Sequence, residues 1–84
     1  MGDVRGLVEV VARALADDPA QVTVTEAEHR GVSVVEVFMA PGELGRLIGR
    51  QGRTAQALRT LAQATADRAG RKVQVEFRDG QPRR

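Results

Sequence analysis

The sequence predicts an α+β domain, a three-stranded mixed sheet with helices packed on one face, in the order α-β-β-α-α-β. Three observations predict it. Two stretches repeat their apolar residues at helical spacing, three others alternate at strand spacing, and the second and third strands are separated by enough chain for a crossover. A right-handed crossover makes those two strands parallel, whereas the hairpin formed by the first two is antiparallel. The chain has 84 residues, room for one domain, which we place at residues 1–80 with 81–84 as a disordered tail.

The first helix starts at Asp3, a plausible N-cap, and carries Val4, Leu7, Val8, Val11, Ala12 and Leu15 on one stripe. Asp17-Asp18-Pro19 ends it, because proline cannot continue a helical ladder and disfavours helix in the residue before it. Gln21 to Glu28 reads as a half-buried strand in which Val22 and Val24 alternate with Thr23 and Thr25. His29-Arg30-Gly31 is the expected turn, and Val32 to Met39 the strongest strand. Glu36 should face water, which sends Val35, Val37 and Met39 inward and leaves Val34 and Phe38 on the outer side. After Pro41-Gly42 there is space for little more than one helical turn, Glu43 to Ile48, before Gly49. A longer amphipathic helix, Arg53 to Arg68, follows with Ala57, Leu58, Leu61, Ala62 and Thr65 as its stripe and Gly70 as its C-cap. Lys72 to Arg78, alternating through Val73, Val75 and Phe77, is the third strand.

Composition narrows the function. With no cysteine and a single histidine, His29, neither a disulfide framework nor a Cys/His zinc site can be assembled, and no cofactor is expected. No serine, threonine or lysine has a histidine base at a recognisable spacing, so no enzyme and no small-molecule substrate is expected. Asp17-Asp18 is accounted for by helix-end capping, and Asp67 and Glu76 by surface ion pairing. The N-terminus lacks a signal-peptide pattern and no apolar run approaches the ~20 residues of a membrane span, so a cytoplasmic protein without membrane contact is the expectation.

Charge is informative once divided along the chain. Residues 1–40 carry three arginines against seven acids, a balance of −4, and residues 41–84 carry ten basic groups against four acids, a balance of +6. Between Leu44 and Ala66 there are four arginines, Arg46, Arg50, Arg53 and Arg59, and no acid. That asymmetry points to a polyanion-facing surface.

Within this stretch lies Ile48-Gly49-Arg50-Gln51-Gly52-Arg53, a Gly-x-x-Gly turn between the short helix and the long one. Gly49 can adopt the left-handed conformation that closes the first helix. Gly52 carries no side chain to hold a ligand away, and the first amides of the following helix lack intrahelical partners. These donors and the positive end of the helix dipole suit an anion, so a phosphodiester backbone can lie across the corner, with Arg50 and Gln51 at its tip. Taken alone, a Gly-x-x-Gly is also a common helical-hairpin turn.

The run from Gly45 to Leu61, above all Gly45-Arg46-Leu47-Ile48-Gly49-Arg50-Gln51-Gly52-Arg53-Thr54 followed by Ala57-Leu58-Arg59, resembles the core of a KH domain. With this element order and almost no flanking sequence, essentially the whole chain is similar to the KhpA-like family of small bacterial single-KH proteins. The resemblance implies the type II KH fold and single-stranded RNA binding, about four nucleotides held by the Gly-x-x-Gly loop. Carried over, Gly49, Arg50, Gln51 and Gly52 grip the sugar-phosphate backbone. Leu47, Ile48 and Leu58 build or back the apolar side of the groove with Arg46 and Arg53 at its rim, and Gly45 counts among the RNA-binding residues. The third strand, from Lys72, forms the opposite wall. No aromatic residue is expected near the groove, which implies weak base stacking, modest affinity and low sequence specificity. The resemblance also implies a homodimer or a pair with a KhpB-like multidomain KH protein, an RNA-chaperone or post-transcriptional role, and a link to cell-envelope growth and cell length. Ala55, Ala62 and Ala66, or Val34 and Phe38, are places where a partner can dock. Two other readings stay open: a protein-pairing scaffold with weak RNA binding, and a DNA-binding helix-turn-helix, for which the first helix of the corner is too short.

Overall fold

A computed structural model describes residues 3–43 and 53–82. Helix α1 spans Asp3–Leu15, a 3-10 turn Pro19–Gln21, strands β1 and β2 Thr23–His29 and Val32–Met39, helix α2 Arg53–Arg68 and strand β3 Lys72–Asp79. Of the expected short helix at Glu43 to Ile48 only Glu43 is described; the rest of it and the Gly-x-x-Gly corner lie outside the described residues.

The three strands form one sheet in the order β1-β2-β3. β1 pairs antiparallel with β2 and β2 parallel with β3, as the crossover argument requires. The most apolar strand is thus the central one, with a neighbour on each side. Its register aligns Val24, Val37 and Phe77 in one row across the sheet and Thr25, Glu36 and Glu76 in the next. Because side chains alternate along strands, the first row joins Val35, Met39 and Val75 on the face covered by the helices. There they pack with Val8 and Ala12 of α1 and with Ala55, Leu58 and Ala62 of α2. Val8, Val35, Val37 and Ala62 have no exposed surface. Each fully buried valine stabilises the fold by about 1.5–3 kcal/mol relative to an exposed one.

Several details depart from the sequence expectation. Leu15 is exposed, and Ala16 takes its place against the core while its N–H still donates to the Ala12 carbonyl at 3.0 Å. β1 starts at Thr23 instead of Gln21 because the Pro19–Gln21 turn closes first, Val22 N–H donating to the Pro19 carbonyl. The hairpin turn has two residues instead of three: His29 pairs with Val32, and Arg30 and Gly31 sit at φ 54° and 81°. Two consecutive left-handed residues match the twist of the flanking strands.

On α2 the buried stripe is Ala55, Leu58, Ala62 and Ala66; Ala57 is exposed, and Leu61 is 46% exposed. The alanines expected to be docking points are therefore core residues, small enough to bring α2 down onto the sheet and α1. Phe38, on the open face, is also closed off. It shares a concavity with Thr25, Glu36, Arg78, Gln81 and Pro82, and Gln81 is tied down there. Thr23 Oγ1 donates to Gln81 Oε1 at 3.1 Å, and Gln81 Nε2 donates to the Gln21 carbonyl at 3.0 Å. The segment expected to fray from Gln81 on is thus anchored at its first residue.

α2 ends in a Schellman turn. Arg71 N–H donates to the Ala66 carbonyl at 2.9 Å and Gly70 N–H to the Asp67 carbonyl at 3.0 Å, with Gly70 at φ 70°. This turn returns the chain as β3 directly beside α2.

Candidate nucleic-acid interface

β3 is an edge strand, and α2 runs alongside it. Side chains on the outer flank of α2 reach down to the strand's free edge. Gln63 Oε1 accepts from Val73 N–H at 3.4 Å, and Arg59 Nε donates to the Val75 carbonyl at 3.3 Å. An unpaired strand edge is a site for unwanted pairing, and these two side chains occupy it. Between the two elements lies a shallow groove of about 750 Å³, walled by Gln56, Arg59, Thr60 and Gln63 on α2 and by Gln74, Val75 and Glu76 on β3.

The groove's polar groups are largely engaged with each other. Gln63 Nε2 donates to Asp67 Oδ1 at 2.7 Å, Gln74 Nε2 to Glu76 Oε2 at 2.6 Å, and Gln56 Nε2 to Thr60 Oγ1 at 3.5 Å. Asp67 and Glu76, expected as ion-pair partners, are instead held by glutamine amides. Arg59 is different: its Cζ lies 5.2 Å from the centroid of the Phe77 ring, a cation–π contact, and only Nε is used by Val75. Phe77 itself is buried, so no aromatic face is offered to a base. The aromatic that the sequence seemed to lack at the groove is present beneath it, holding an arginine.

A second site-related contact was not visible in the sequence. The carboxylate of Glu43 accepts from the N–H of Asp17 at 2.6 Å and of Asp18 at 3.0 Å. It fastens the residue just before the arginine-rich segment to the loop after α1. Asp18 also accepts from Gln21 Nε2 through its own carboxylate, at 3.0 Å.

A model of the KhpA/KhpB KH domain matches residues 5–77, nearly the whole chain. The chain belongs to that family. It is 41% identical over 77 residues to an RNA-binding protein KhpA of Aquifex aeolicus, covering 92% of this chain and 98% of the relative. Likewise, an RNA-binding protein KhpA of Caldanaerobacter subterraneus is 43% identical over 71 residues, covering 84% and 95%. One of Leifsonia xyli is 46% identical over 69 residues, covering 82% and 88%. No solved structure gives a significant match.

The KH domain's expected site residues distribute as follows. Gly45, Arg46, Leu47, Ile48, Gly49, Arg50, Gln51 and Gly52 lie outside the described residues, and Arg53 is the first residue of α2. Leu58, 3% exposed, backs the domain from within the core. Lys72, at the start of β3, lines a different concavity with Arg68 and Arg71, around the C-terminal end of α2. There Arg71 Nη2 donates to Ser33 Oγ at 2.6 Å, the hydroxyl of the one buried polar residue among those described. Among the described residues no helix is long and apolar enough to cross a membrane.

Proposed function

We propose that the chain binds single-stranded RNA, about four nucleotides at a time, and acts as a binding module rather than an enzyme. In this reading the phosphates lie at the Gly49-Arg50-Gln51-Gly52 turn and the first free amides of α2, and the bases extend along the groove toward β3. The observation that carries the proposal is the polar groove leading from the N-terminal end of α2, in a chain of the KhpA/KhpB KH-domain family whose relatives bear the name RNA-binding protein. Arg46, Arg50 and Arg53 belong to the acid-free stretch of the sequence and in this reading supply the positive charge.

One such module, with no exposed aromatic in its groove, holds RNA weakly and gains strength by pairing. We infer a homodimer or a pair with a KhpB-like multidomain KH protein, acting in the cytoplasm as an RNA chaperone or post-transcriptional regulator in cell-envelope and cell-length control. The KhpA/KhpB family description supports the second pairing.

The test is fluorescence anisotropy with single-stranded RNA, duplex RNA and duplex DNA at two salt concentrations. Single strands should bind best and lose affinity as salt rises. Arg50→Asp combined with Gln51→Asp sets two negative charges against the phosphate path, and should abolish binding while circular dichroism and melting stay near wild type. Normal RNA binding by the double mutant would remove the loop from the site. Preference for duplex DNA would instead favour the helix-turn-helix reading.

A further inference from the structure

The groove between α2 and β3 is not furnished as a phosphate clamp. Asp67 lines its α2 wall with a single arginine, and a phosphodiester running along it would meet that carboxylate. This part of the groove suits bases better than backbone. The groove's glutamines are occupied by Asp67, Glu76, Thr60 and the edge of β3. Arg59 keeps donors in reserve: Nε is spent on the Val75 carbonyl, and both Nη groups lack a protein partner among the described residues. The Val75 hydrogen bond and the Phe77 ring together fix where the guanidinium sits, so its fork is pre-oriented.

We propose that Arg59 reads one base of the bound strand and selects guanine or cytosine over adenine and uracil. The inference deepens the RNA-binding function proposed above and rests on it. A fork of two parallel donors needs two adjacent acceptors. Guanine offers O6 and N7, and cytosine offers O2 and N3. Adenine N7 is flanked by an amino donor, and the uracil N3–H separates its two carbonyls, so neither presents such a pair. Arg59 is thus a specificity residue, and the charge it contributes is secondary to its geometry.

The experiment uses a short oligouridine with one central variable base, titrated by anisotropy against the full chain. Guanine or cytosine at that position should bind about fivefold or more tighter than adenine or uracil. Arg59→Lys keeps the charge and loses the fork, so the four affinities should converge to within about twofold. Should that variant lose its fold by circular dichroism, wild type with 7-deazaguanine decides: removing N7 should bring the affinity down to that of uracil. Equal binding of all four bases by wild type overturns the proposal. So does an unchanged preference in a folded Arg59→Lys, or a guanine preference that survives 7-deaza substitution. Flat but measurable binding leaves the RNA-binding function standing, whereas no binding to any single strand removes both.

Discussion

Two glycine-to-alanine substitutions should move stability in opposite directions, although an added methyl meets open space at both. Gly70 closes α2 at φ 70°, and an ideal Cβ there meets nothing within 4 Å. The cost is therefore backbone alone, about 1–2 kcal/mol for an L-residue in the left-handed region. It is partly offset by the ~0.4–1 kcal/mol gained from a stiffer unfolded chain. A net loss of roughly 1 kcal/mol lowers the melting temperature of a domain this size by about 4–8 °C. Gly6 lies inside α1, within Asp3–Leu15, and its Cβ also meets nothing within 4 Å. There alanine is the better helix former by about 0.8–1.0 kcal/mol, so Gly6→Ala should raise the melting temperature by a comparable amount. Thermal melts followed by circular dichroism, with chemical denaturation to obtain free energies, measure both. If Gly70→Ala matched or exceeded wild type, or both variants shifted the same way, the assignment of Gly70 as the left-handed C-cap that aims β3 would be wrong. Steric relaxation could not explain such a result, because neither site has a contact to relax.

Two further outcomes follow from named contacts. Glu43→Ala removes the carboxylate acceptor of the Asp17 and Asp18 amides and should cost about 1 kcal/mol, with faster hydrogen exchange at those two amides; unchanged exchange would show that the clamp is not formed in solution. Glu9 has its pKa lowered below 4.5, chiefly by the Arg13 hydrogen bonds and then by Arg5. Its stabilising effect is complete above the unfolded value and lost as pH falls through the lower folded value, so the melting-temperature gap between wild type and Glu9→Gln should narrow from pH 6 to pH 3. A gap independent of pH would refute the pairing.

Much of the fold was legible because its signals are local. β2 carries six apolar residues in eight positions, and the limits of α2 agree with the expected Arg53 to Arg68 because glycines stand just outside both ends. Misread details concern residues whose signal is weak or two-sided. Ala57 and Ala55 are equally plausible core residues by periodicity, and only the approach of α2 to the sheet and α1 decides that Ala55 is inside. Likewise, Phe38 is outward by alternation, but Gln81 and Pro82 fold back beside it. The candidate site shows the same division. Its Gly-x-x-Gly and arginines are a sequence motif, whereas Glu43 meets Asp17 and Asp18 across more than twenty residues, beyond any local pattern.

By itself the sequence determined the order of the described elements, the mixed pairing of the sheet, the basic second half and the family, because periodicity, turn residues and charge are properties of neighbouring positions. Tertiary structure alone decided what Arg59 is for. In the sequence it is one of four arginines in an acid-free stretch. In the fold, the Schellman turn at Gly70 lays β3 alongside α2, and the Val75 carbonyl and the Phe77 ring then hold that one guanidinium in the groove between them. A side chain's orientation depends on partners 16 and more residues away, and such partners exist only once the chain has closed on itself.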